Sequence, residues 1–97
     1  MRDEIPFELF KRLNKIGFTC KSILPLPKIG DALKWLRDEK KLYVEPTLVS
    51  TENGLKWDFT IVDLNTADII FESRAKYSSY EEASNSGIDY VLDYVVK

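Results

Sequence analysis

The segment Ser79-Tyr-Glu-Glu-Ala-Ser-Asn-Ser-Gly-Ile-Asp-Tyr-Val-Leu-Asp-Tyr-Val-Val-Lys97 decides the fold. It opens on Ser-x-x-Glu, the capping box: Ser79 can accept from the third helical N–H while Glu82 reaches back. Ala83, Gly87, Ile88, Val91, Leu92 and Val95 then share one face of a helix, flanked by Tyr80, Tyr90 and Tyr94. Glu82, Asp89 and Asp93 line the outer side, with Ser86 between. A glycine inside a helix costs about 1 kcal/mol relative to alanine. Gly87 on the apolar face therefore predicts close approach to a sheet. Asp93 falls in the last turn, where the helix dipole disfavours an anion.

The sheet lies upstream. Leu55 to Leu64 alternates Leu55, Trp57, Phe59 and Ile61 against Lys56, Asp58, Thr60 and Val62. Leu42 to Ser50 is rich in Val, Leu and Tyr, but Pro46 lacks a ladder donor, which predicts an edge strand. Thr51-Glu-Asn-Gly54 joins the two and carries the Asn-Gly hairpin signal. Asn65-Thr-Ala-Asp68 is a second turn. Ile69 to Tyr77 alternates Ile69, Phe71, Ser73 and Ala75 against Ile70, Glu72, Arg74 and Lys76. Loops this short predict an antiparallel meander.

Two helices precede it. Pro6 suits the first helical position, and Leu9, Phe10, Leu13 and Ile16 follow at helical spacing. Gly17 can end that helix in the left-handed conformation, with Phe18 folding back. Phe18 to Ile23 reads as a short strand or an extended connector, and Leu24-Pro-Leu-Pro27 as a stiff connector. A second helix runs from about Gly30 to Lys41, with Ile29, Ala32, Leu33 and Leu36 as its stripe and Trp35 at the margin.

The expected fold is α+β. A three-stranded antiparallel meander carries two helices on one face, an αβββα core over residues 28–97. An N-terminal helix and a Pro-containing connector over 1–27 precede it within one domain. That helix either completes the helical layer or covers an edge. Val62, Leu64 and Ile70 leave apolar surface on the far face, to be covered by that helix or by a second copy, which makes a homodimer plausible.

Composition excludes much. The 97 residues hold no histidine and one cysteine, Cys20. Ser-His-Asp and Cys-His catalysis, His-based zinc sites and Cys-only zinc sites within the chain are all ruled out. A lone cysteine fits a reducing cytosol, and Cys20 reads as a small core residue rather than a nucleophile. No apolar run reaches the roughly 18–20 residues of a membrane span. The charged N-terminus lacks an apolar signal core. The expected location is the cytoplasm. The four glycines, at 17, 30, 54 and 87, never cluster into a phosphate loop. Asp63-x-Asn65-x-x-Asp68 lacks the glycine and terminal glutamate of an EF-hand and reads as a turn. A carboxylate pair for general acid–base work would have to come from strand residues such as Asp58 and Glu72, but both fall on the more polar strand faces and read as solvated surface.

The net charge of −2 hides an asymmetry: residues 1–41 carry ten basic and six acidic side chains, residues 42–97 four basic and ten acidic. The halves either complement each other within the fold or present a bipolar surface to a partner. Two candidate surfaces follow. Glu82, Asp89 and Asp93 form an acidic ridge suited to a protein partner. Lys34, Arg37 and Lys41, joined by Lys11 and Lys15, form a basic surface suited to phosphates. A solvated helix face is the competing reading for both. No catalytic, metal or cofactor residue is assigned, and the chain reads as a non-enzymatic protein-interaction module. A nucleic-acid-binding accessory protein is the alternative.

The order helix, three antiparallel strands, helix resembles the double-stranded RNA-binding domain. That family's lysine cluster at the start of the last helix is replaced here by Ser79-Tyr-Glu-Glu82. Its histidine-bearing loop is replaced by Thr51-Glu-Asn-Gly54, so only topology is shared. Lys34-Trp-Leu-Arg-Asp-Glu-Lys40, and Tyr80-Glu-Glu-Ala83 with Gly87-Ile88, resemble small uncharacterised proteins frequent in gut bacteria and their phages. The resemblance covers roughly residues 30–95, leaves out the segment to Pro27, and carries no site residue. It implies a small accessory gene product of a mobile element.

Overall fold

The computed structural model describes residues 4–18 and 27–96. Of the segment Phe18 to Ile23, read as a short strand or an extended connector, all but Phe18 lies outside the described residues, as do most of the proline-bearing connector and Cys20. The elements run α1 (Phe7–Lys15), α2 (Ile29–Glu39), β1 (Leu42–Thr51), β2 (Gly54–Asp63), β3 (Asp68–Glu72) and α3 (Tyr80–Tyr90). A π-helical turn, Val91–Val95, extends α3 and closes through the Val96 N–H donating to the Val91 carbonyl at 2.9 Å. The strands form one antiparallel sheet in the order β1-β2-β3. The fold is the expected α+β meander.

Local chemistry sets the boundaries. Pro6, expected as the first helical residue, stands instead at the N-cap with extended ψ, one residue before α1 begins at Phe7. At the other end Gly17 takes φ +113. The Phe18 N–H then donates to the Leu13 carbonyl at 3.0 Å and the Gly17 N–H to the Asn14 carbonyl at 3.1 Å. That is a Schellman cap, and the returning Phe18 is buried. Lys28 precedes α2 and donates its N–H to Asp31 Oδ2 at 3.2 Å. Helix α2 stops two residues short of Lys41, whose φ of 58 turns the chain into β1. In the hairpin, Gly54 alone takes positive φ, so Glu52-Asn53, the two residues between the paired Thr51 and Gly54, do not form the mirror-image turn that Asn-Gly favours.

Strand β3 departs from expectation. Its alternation was to run from Ile69 to Tyr77, yet the strand ends at Glu72 and a bulge shifts its register. Phe71 pairs with Ile61 and Ile69 with Val62, which leaves Ile70 as the extra residue. A one-residue slip reverses the face. Ile69 therefore joins Val62 on the far face instead of sharing the near face with Phe71.

All three helices belong to the near face. Leu9, Phe10 and Leu13 of α1, Ile29, Ala32 and Leu36 of α2, and Ile88, Val91 and Leu92 of the last helix share one core with Leu42, Val44, Phe59 and Ile61. Helix α1 completes the helical layer by packing against α3. Ser84, outside the expected stripe, is fully buried as well. Gly87 meets the sheet as its sequence position implied: a Cβ there would stand 2.5 Å from Val44 Cγ1.

Candidate functional site

The acidic ridge is engaged within the molecule. Arg12 of α1 reaches Asp89 with one guanidinium nitrogen and Asp93 with the other. Desolvation works against the Arg12 charge. The hydrogen bonds and proximity of both carboxylates outweigh it and hold the guanidinium above its ordinary pKa. The pair also answers the objection to Asp93, since a fixed cation offsets an anion at a helix C-terminus. Glu82 caps its own helix. Its Oε1 accepts from the Ser78 N–H at 2.7 Å and the Ser78 hydroxyl at 2.9 Å, while Ser79 Oγ accepts from the Glu82 N–H at 3.1 Å. The return contact thus falls one residue earlier than a strict capping box. The Ser78 hydrogen bonds hold the Glu82 carboxyl below its ordinary pKa.

The basic candidates do not assemble into one surface. Lys34 bonds Asp38 Oδ2 at 2.7 Å, and Arg37 Nε stands 3.7 Å from Asp38 Oδ1. Asp38 is held below its ordinary pKa chiefly by the Lys34 hydrogen bond. Lys11 pairs with Glu8 at 3.1 Å and lies over the Phe7 ring. Lys15 borders a groove with Ile16, Leu92 and Val96, whereas Lys34 borders a separate one with Phe18 and Trp35. Lys41 is exposed at the junction of α2 and β1.

With the helices on one side, the far face of the sheet has no cover among the described residues. Its rows follow from the register. Tyr43, Val62 and Ile69 form one row, Glu45, Thr60 and Glu72 the next, then Thr47 with Asp58, and Val49 with Lys56. Leu64, at the end of β2, is 44% exposed, Ile69 62% and Ile70 38%. Asp58 and Glu72, read from sequence as solvated surface, come together here. Burial, and then the Glu72 charge, hold the Asp58 carboxyl above its ordinary pKa. Its Oδ1 is enclosed and has no hydrogen-bond partner.

The two sheet edges differ. Phe59 exchanges hydrogen bonds with Ser73 on the β3 side, so its β1 neighbour Pro46 directs its backbone to the free edge. The proline's missing N–H falls where it breaks no ladder bond and blunts the edge against pairing.

Asp63 Oδ1 accepts from the Asn65 N–H at 2.8 Å, so the calcium-like sequence is a turn. Among the described residues no group of three potential ligands is placed to hold a metal ion. No helix there is long and apolar enough to cross a membrane. Comparison with protein-family models, curated proteins and solved structures finds no match.

Proposed function

We propose that this chain is a small non-enzymatic interaction module whose far sheet face docks a second copy of itself. One observation carries the reading: the helices all lie on the near face, and the far face presents the row Tyr43–Val62–Ile69 with Leu64 beside it. The molecule is a slab of 43 × 34 × 18 Å, thin enough for one sheet and one helical layer. Its broad face exceeds the roughly 800 Å² per partner of a standard interface. A two-fold axis crossing the strands at the Tyr43–Val62–Ile69 row lays that row on its own copy, apolar side chains against apolar side chains. The acidic ridge supports this face less, because Arg12 and Ser78 already engage its members. The missing histidine and absent nucleophile motifs support a non-enzymatic role. The resemblance at Lys34–Lys40 and Tyr80–Ala83 supports a mobile-element accessory product.

Solution mass tests the reading. Light scattering at rising concentration is expected to move towards twice the 11.3 kDa chain mass. Ile69→Lys, at an exposed position, is expected to hold the protein at the monomer mass with its fold intact. A monomer at every concentration, or a dimer indifferent to Ile69→Lys, overturns the proposal.

A further inference from the structure

Beyond this reading, the end of β3 opens a cleft that lies apart from both the acidic ridge and the basic surface read from the sequence. Phe59 bonds Ser73 and Trp57 bonds Tyr77, so the two-residue step from Trp57 to Phe59 faces the four-residue step from Ser73 to Tyr77. The surplus chain swings outward and carries Arg74 and Lys76 with it. Such bulges re-aim side chains and recur beside binding sites. Behind the displaced loop lies a cleft of about 510 Å³ between sheet and last helix. That size falls within the ordinary range for small-ligand sites.

Its wall is a ladder of rings. Phe71 stacks on Tyr90 with centroids 4.0 Å apart and planes 14° from parallel, and Tyr94 continues from Tyr90 at 4.7 Å. The ladder ends at Tyr94, which is 66% exposed and offers its ring to solvent. Tyr77 closes the other side, packed on Phe59 at 5.9 Å. At the rim, Arg74 is exposed and makes no ion pair among the described residues, and the Lys76 ammonium stands over the Tyr77 ring at 5.4 Å. The lining also carries the Glu72 carboxylate, so its two cations exceed its one anion, and an open aromatic face beside that net positive charge matches a flat ring carrying an anion.

We infer that this cleft binds a nucleotide, its base stacked on Tyr94 and its phosphate held by Arg74 and Lys76. The shared chemistry fits a free nucleotide or one within a single strand. Stacking on tyrosine accepts any base, so little sequence preference is expected.

The test is NMR titration of the full chain with AMP, adenosine, inorganic phosphate and a short oligodeoxythymidylate. Saturable shifts at Arg74, Tyr77 and Tyr94 are expected with AMP or the oligonucleotide, and at least fivefold weaker binding of adenosine and of phosphate. An oligonucleotide binding no better than AMP identifies a free nucleotide as the ligand; tighter oligonucleotide binding identifies a single strand. Two phosphate contacts on a strand predict a log–log salt slope of about −1.4. Tyr94→Ala should weaken binding at least fivefold while Tyr94→Phe retains it, and Arg74→Gln with Lys76→Gln should remove the advantage of AMP over adenosine. No saturable shift at millimolar nucleotide, wild-type affinity in Tyr94→Ala, or shifts produced only by a proline-rich peptide would overturn the assignment.

Discussion

At Gly87 helix propensity and packing oppose each other. Alanine would gain up to about 1 kcal/mol of propensity. Its Cβ, however, would stand 2.5 Å from Val44 Cγ1 and 3.3 Å from two Phe59 ring atoms. Val44 is β-branched and buried, so its methyl has little room to yield. Overpacking of this kind costs about 1–3 kcal/mol, so Gly87→Ala should be net destabilising by up to about 2 kcal/mol. The urea midpoint should fall at unchanged m-value, and a rise would mean that Val44 does not exclude the side chain. A glycine amid apolar helix positions showed this in sequence, as Gly17 and Phe18 showed their cap. Asp58 could not be read the same way, because its enclosure depends on neighbours from other segments. Its raised pKa means that folding favours the protonated form. The associated stability is full below the unfolded-state pKa and is lost as pH rises through the folded-state value. Asp58→Asn should therefore raise the melting temperature at neutral pH, and the gain should fade at pH values below the ordinary carboxylate range. A gain independent of pH would assign the effect to something other than charge.

Between elements, the joint of α1 with α3 is where the bipolar charge distribution is used. Arg12 lies 77 residues from Asp89 and 81 from Asp93. The sequence showed both charges and their segregation, but not their pairing, because helical periodicity carries no information about which helix packs on which. Partly exposed pairs contribute about 0.2–1 kcal/mol. A double-mutant cycle of Arg12→Ala against Asp93→Asn should return a coupling in that range, shrinking at high salt. A coupling of zero would reduce the contact to coincidence. Strand β3 failed sequence reading for another reason. Period-two alternation continues through Ser73-Arg-Ala-Lys76, but those residues are neither β-branched nor aromatic, and Ser73 Oγ itself accepts the Phe59 N–H at 2.8 Å. A side chain substituting in the ladder lets the backbone leave it. The weak strand composition was the available signal for the cleft.

Across the whole molecule, the N-terminal segment is part of the core. Ile5, Leu9, Phe10, Leu13 and Phe18 are buried in the same cluster as Ile29, Ile88 and Leu92. The backbone confirms the attachment: the Ile5 N–H donates to the Pro27 carbonyl at 3.0 Å, and Glu4 bridges Lys28. Removing residues 1–27 would return the apolar surface of α2 and α3 to water. At about 25 cal/mol per Å², a few hundred Å² costs several kcal/mol. A small domain's entire net stability is only about 5–15 kcal/mol. It would also strand Asp89 and Asp93 without Arg12. The fragment 28–97 should therefore lose its cooperative thermal transition and bind a hydrophobic dye, whereas the full chain unfolds cooperatively. Equal melting temperatures for fragment and full chain would show that the sheet and last two helices form an independent unit. The far-face contact separates from this effect by position, because Ile69→Lys alters no residue of the shared core and should leave the full chain's transition cooperative.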